Sequence, residues 1–121
     1  MIRDGFVARW RGDEYDASPH GTEVRLYRVD PADGFTEVRP GRYVRVVPMT
    51  EVSGVEYVRT ACTWRGQPFI VLGEQDGWLR LEYTGGHWPV AEALGLETFD
   101  YGVYQGWAPA GDVTDLREQR L

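Results

Sequence analysis

Apolar and polar residues alternate along this chain in short runs, at the two-residue period of a half-buried β-strand. Ala8 and Trp10 alternate with Arg9 and Arg11, and Glu23-Val24-Arg25-Leu26-Tyr27-Arg28-Val29 keeps the same beat over seven residues. Arg42-Tyr43-Val44-Arg45-Val46-Val47 is a β-branched run closed by Pro48. Pro68-Phe69-Ile70-Val71-Leu72 reads as an apolar strand, and Asp76-Gly77 as a hairpin turn into Trp78-Leu79-Arg80-Leu81-Glu82-Tyr83. Tyr101 to Trp107 is a late strand. The helical signal is confined to Gly85 through Gly95, where Pro89 marks a first helical position and Gly95 a stop. Val90, Ala93 and Leu94 share one face there, which predicts one to two helical turns. The polar tail from Thr114 to Leu121 reads as a short helix or a frayed end.

The runs occur twice in the same order. Val7-Ala8-Arg9-Trp10-Arg11-Gly12-Asp13-Glu14-Tyr15 lies over Ala61-Cys62-Thr63-Trp64-Arg65-Gly66-Gln67-Pro68-Phe69, sharing Trp-Arg-Gly and a later aromatic. Val24-Arg25-Leu26-Tyr27 lies over Leu79-Arg80-Leu81-Glu82-Tyr83 with a one-residue slip. Tyr43 through Val47-Pro48-Met49-Thr50-Glu51-Val52 lies over Tyr104 through Ala108-Pro109-Ala110-Gly111-Asp112-Val113. A pair of copies fits a duplicated small domain, because a solenoid needs three or more repeats. The expected division is residues 1–57 and 58–121. The segment Ser53-Gly54-Val55-Glu56-Tyr57-Val58 is too apolar for a flexible linker and predicts a strand bridging the copies, packed as one unit.

The order of blocks resembles the SH3-like barrel: an opening strand, a long loop, a central hairpin, then an aromatic strand running into a short Pro-containing turn. Pro48-Met49-Thr50-Glu51-Val52 and Pro109-Ala110-Gly111-Asp112-Val113 look like the single helical turn before that fold's last strand. The resemblance implies a mainly β chain of two tandem SH3-like small β-barrels from an internal duplication, with a short helix inserted in the second copy. A small closed barrel would leave no open strand edges. Trp10, Leu26, Val46, Trp64, Leu79, Leu81 and Val113 are the expected core, with Trp10 and Trp64 filling the seam between the copies.

Charge narrows the function. The 121 residues carry a net charge of −6. Residues 1–58 hold eight bases and ten acids, net −2, and residues 59–121 hold five bases and nine acids, net −4. Neither half offers the basic patch that nucleic-acid binding needs. All thirteen bases are arginine, and lysine and asparagine are absent, as expected of a high-GC bacterial genome. Cys62 is the only cysteine, which rules out an intrachain disulfide. The start Met1-Ile2-Arg3-Asp4-Gly5 carries no apolar signal stretch, and no apolar run is long enough for a membrane span. A cytoplasmic protein is the expectation.

Catalytic chemistry finds few candidates. His20, His87 and Cys62 are scattered without metal-ligand spacing, so no metal or cofactor is expected. Ser18 and Ser53 sit in no nucleophile elbow, and Gly85-Gly86 opens onto Trp88-Pro89 rather than onto a phosphate-binding lysine. Adjacent acids such as Asp13-Glu14 usually face solvent. An enzyme reading would rest on a carboxylate or on Cys62.

Aromatic residues carry more information. There are sixteen, nine of them from Trp64 onward, more than barrels this small can enclose. The expected reading is a non-catalytic protein-binding module resembling small bacterial immunity proteins, with a basic toxin or effector as partner. The expected binding face is Trp88, Tyr101 and Tyr104 with Glu92, Glu97 and Asp100, an aromatic centre that desolvates on docking beside carboxylates that steer a basic partner. The alternative to Trp88 as a contact is Trp88 as a pin for the short helix. The alternative face is copy one around Tyr15, Tyr27 and Phe35. The alternative functions are a nucleic-acid-binding small barrel, a cell-wall-binding repeat and a small enzyme.

Overall fold

In a computed structural model that describes residues 2–121, the chain is mainly β, with eleven strands, one short α-helix and two single 3-10 turns among the described residues. It divides into two compact units. The first comprises Gly5–Val58 with Arg120–Leu121, and the second comprises Arg59–Gln119 with residues 2–4.

The first unit holds β1 (Asp4–Trp10, from Gly5 on), β2 (Asp13–His20), β3 (Glu23–Arg28), β4 (Thr36–Arg39) and β5 (Arg42–Pro48), then a 3-10 turn at Met49–Glu51. Its strands run in the order β4-β5-β3-β2-β1, each antiparallel to the next. Period-two alternation turns Ala8, Trp10, Val24, Leu26 and Val47 inward, where they form the core with Ala17. Tyr15, Phe35, Met49 and Val52 pack around that core.

The second unit holds most of β6 (Gly54–Trp64, from Arg59 on), β7 (Gln67–Gln75), β8 (Trp78–Tyr83), α1 (Trp88–Ala93), β9 (Glu97–Asp100) and β10 (Val103–Pro109). A 3-10 turn at Ala110–Asp112 leads into β11 (Thr114–Arg120), which pairs with β6. The order β9-β10-β8-β7-β6 repeats that of the first unit, strand for strand. Cys62, Trp64, Phe69, Val71, Leu79, Leu81, Tyr83, Ala91 and Ala108 make its core.

Matching turns set the two β-hairpins that open the units. Arg11 and Gly12 have φ of 50 and 85°, and Arg65 and Gly66 have 50 and 74°. Two successive positive φ values are the mark of a type I′ turn, whose twist matches that of the flanking strands. Asp76 and Gly77 repeat it at 51 and 82°, where the sequence predicts a hairpin.

Several expectations need correction. No ring closure is present among the described residues; each strand path ends on a short edge, β4 or β9. Both edge strands are four residues long, fully exposed and charged, features that discourage pairing with another chain. The long loop expected after the opening strand of copy one is β2, a polar segment made into a strand by its pairing with β1 and β3. The tail is strand β11 rather than helix, because Thr114–Arg120 finds its partner in β6, far away in sequence. The late strand begins at Val103, and Tyr101 lies in the preceding turn. The strand expected over segment 53–58 is present, as the start of β6 from Gly54 on.

Core assignments shift in two places. Val46 is 49% exposed, and its neighbour Val47 is buried instead. Register decides this: Val47 faces Val24, whereas Val46 faces Arg25 on the outer side of the sheet. Val113 is half-buried at the margin of the second core. Trp10 and Trp64 are buried as expected, one in the core of each unit.

Candidate functional site

The second unit carries an open cleft of about 620 Å³ between the start of α1 and the β9–β10 hairpin. That volume lies within the range of ligand-binding clefts. Helix α1 forms one wall. Pro89 sits in its first turn, and Gly95, at φ 73°, stops it. The helix is anchored by Ala91, fully buried, with Val90, Leu94 and Leu96 packed against the same core. Trp88 remains 59% exposed at the cleft.

The opposite wall is the β9–β10 hairpin. Tyr104 pairs with Thr98 across it, and both line the cleft. Gly102 makes the turn at φ 72°, and Asp100 Oδ1 accepts a 2.7 Å hydrogen bond from the Tyr101 backbone N–H. This turn leaves Tyr101 at the cleft and 99% exposed. The floor comes from Tyr83 at the end of β8, followed by Thr84, Gly86 and His87. Thr84 N donates to Pro68 O at 3.1 Å, which fixes the start of that loop.

Of the six residues expected to form a binding face, Trp88, Tyr101 and Tyr104 meet at this cleft. Glu92, Glu97 and Asp100 are exposed but do not line it. Glu97 lies 3.5 Å from the Arg80 guanidinium, and Asp100 is engaged in the turn. The lining contains no carboxylate and no arginine. The other lining residues, Tyr83, Thr84, Gly86, His87, Thr98 and Gly102, were not among those expected at the binding face. The strand alternation ending at Tyr83 and the Gly85-Gly86 pair were the available signals.

The two units treat their aromatic residues differently. In the first, Tyr15 and Phe35 stack with centroids 5.7 Å apart, and both meet Trp10 edge-on. Arg28 covers Phe35, and Arg42 sits 4.0 Å from the centroid of Tyr27, whose hydroxyl donates to Ser18 Oγ. Those rings, the alternative binding face, are engaged within their own unit. In the second unit no ring or cation–π contact among the described residues engages Trp88, Tyr101 or Tyr104.

Candidate reactive groups are placed as follows. Cys62 is fully buried, and burial pushes its thiol above the usual range, opposite to the shift a nucleophile needs. No group of three or more His, Cys, Asp or Glu residues among those described is arranged to hold a metal ion. No described helix is long and apolar enough to cross a membrane. Glu14 and Glu56 both contact Arg120, at 2.8 and 3.1 Å, within the first unit.

A family model described as "Uncharacterised conserved protein UCP033725" matches residues 2–121, and the chain belongs to that family. No curated protein and no solved structure matches the chain.

Proposed function

We propose that this member of the family is a non-catalytic protein-binding module that docks its partner on the second-unit cleft. The observation that carries the reading is the set of three aromatic side chains, Trp88, Tyr101 and Tyr104, gathered around one cleft without engagement by other rings or by arginines. Aromatic groups of this kind bring large contact area at low cost in rotamer entropy. Ala91, Val90 and Leu94 hold α1 against the core, while Trp88 stays largely exposed.

Charge supports a basic partner. Residues 59–121 carry net −4, and Glu92, Glu97 and Asp100 are exposed on the elements that flank the cleft, α1 and β9. Such carboxylates steer association more than they add affinity. An immunity protein that occludes a basic toxin is one form of this function, and the cytoplasm, where a lone buried Cys62 stays reduced, is the compartment it fits. The acidic balance weighs against the nucleic-acid-binding alternative.

Capture of the partner from the native host, followed by binding kinetics on purified components, tests the reading. Trp88→Ala should speed dissociation, whereas Glu92→Arg should slow association and flatten its salt dependence. Wild-type kinetics from both folded variants would move the interface away from this cleft.

A further inference from the structure

The inner end of the cleft holds a polar group that the folded chain leaves unsatisfied. Tyr83 is 7% exposed, its Oη is fully covered, and no described residue hydrogen-bonds to it. Its ring is fixed against Phe69, with centroids 5.6 Å apart, so the hydroxyl is held in place by the core. A buried hydroxyl without a partner costs free energy, and a folded protein rarely keeps one without a use. A phenylalanine at this position would supply the same ring without that cost.

What covers the hydroxyl is backbone. A Cβ added at Gly85 would collide with Tyr83 Oη, so only glycine permits this close approach. Gly86 follows at φ 75°, and no described backbone hydrogen bond outside the regular elements ties the N–H of either glycine. The segment over the hydroxyl thus has few restraints between Thr84, bonded to Pro68, and His87, whose carbonyl accepts from Val90 at the start of α1. Tyr83 itself lines the cleft, and only a small displacement of the two glycines would be needed to bring Oη into it.

We propose that the inner end of this cleft is an amide-binding subsite, in which Tyr83 Oη donates a hydrogen bond to an uncharged carbonyl of the partner protein, from its main chain or from an Asn or Gln side chain. This rests on the protein-binding reading of the cleft and specifies the group it accepts. A planar amide suits the lining on three counts. Its flat face stacks on aromatic rings such as Trp88 and Tyr104, its oxygen accepts from Tyr83, and its N–H groups find an acceptor in the Thr98 hydroxyl. A cationic end group is disfavoured, because no carboxylate lines the cleft to compensate it. The unsatisfied hydroxyl then supplies selectivity, since a partner group without an acceptor would leave it buried and unpaired.

The test uses the full chain and N-acetyl-tyrosinamide as a neutral amide probe, with methyl glucoside as the comparison ligand. Titrated into isotope-labelled protein, the amide should give saturable shifts at the Thr84 and Gly86 amides and the Trp88 indole N–H. Tyr83→Phe should weaken that binding about tenfold while raising the melting temperature of the free protein, opposite signs that a purely structural hydroxyl would not produce. Trp88→Ala should also weaken it, with little effect on melting. Equal probe binding by Tyr83→Phe, a lowered melting temperature in that variant, or a response to methyl glucoside and not to the amide would each overturn the proposal. With the partner protein, loss of binding in Trp88→Ala but not in Tyr83→Phe would remove the amide subsite and leave the docking cleft standing. Retention of binding in both variants would remove both.

Discussion

The Arg65 guanidinium lies 4.4 Å from the centre of the Trp64 ring, and the backbone that places it there is left-handed, at φ 50°. Arg11 stands over Trp10 in the same way, at 4.2 Å and φ 50°. In each unit the arginine occupies an unfavourable backbone region and gains a cation–π contact with an indole that seals the core. The two effects separate by substitution. Arg65→Ala should lose about 0.5–1 kcal/mol of stacking and retain the backbone penalty. Arg65→Gly loses the same stacking but removes the penalty, so it should be the more stable of the two. Chemical denaturation of both variants measures the order, and an alanine variant as stable as the glycine one would remove the strain argument.

The indoles beneath these arginines are core residues, Trp10 at 4% and Trp64 at 6% exposure. Trp64→Ala opens a cavity against Phe69, which it meets edge-on at 5.5 Å. The expected loss is about 3–5 kcal/mol, a large share of the roughly 5–15 kcal/mol that holds a domain together. Unchanged thermal melting of a soluble Trp64→Ala protein would contradict its place in the core.

Val46 and Val47 make a direct test of strand register. Val47 is buried opposite Val24, so Val47→Ala should destabilise by roughly 1–3 kcal/mol, the usual range for a truncated buried side chain. Val46 faces outward opposite Arg25, and Val46→Thr should change stability by less than about 0.5 kcal/mol. Reversal of this order would mean that β5 pairs one residue out of step.

Cys62 gives the pH dependence a direction. Burial raises its pKa in the folded chain, so the folded state favours the neutral thiol. Its stabilising contribution is therefore full below the ordinary thiol value of about 8.5 and is lost as pH rises above it, when the unfolded chain ionises first. Tyr43, whose hydroxyl donates to Glu37 at 2.8 Å, is also raised and adds a second loss above about pH 10. Cys62→Ala places in the second unit the residue found at Ala8 in the first, and should flatten the first alkaline limb of the stability curve. A curve that falls as steeply in Cys62→Ala as in wild type would assign that limb to another group.

Local chemistry made much of this protein legible from sequence. Alternation at Ala8-Trp10, Val24-Leu26 and Leu79-Leu81 set which side chains turn inward, because a strand has a period of two whatever it pairs with. Asp76-Gly77 marked its hairpin because few residue pairs accept positive φ twice running. Pro89 and Gly95 bounded the helix for equally local reasons, and the repeated order of blocks stood out because matching elements leave matching patterns. Tertiary structure decided the rest. Residues 114–120 became a strand only because β6 offered a partner some fifty residues away. The choice of Val47 over Val46 depended on register with β3, which an apolar run such as Val46-Val47 does not specify. The cleft is the clearest case: Tyr83, Trp88 and Tyr104 belong to three elements, and their meeting depends on how β8, α1 and β10 pack around one core. The unpaired hydroxyl of Tyr83 is likewise invisible in the string of residues, since whether a polar atom finds a partner is settled by its neighbours in space.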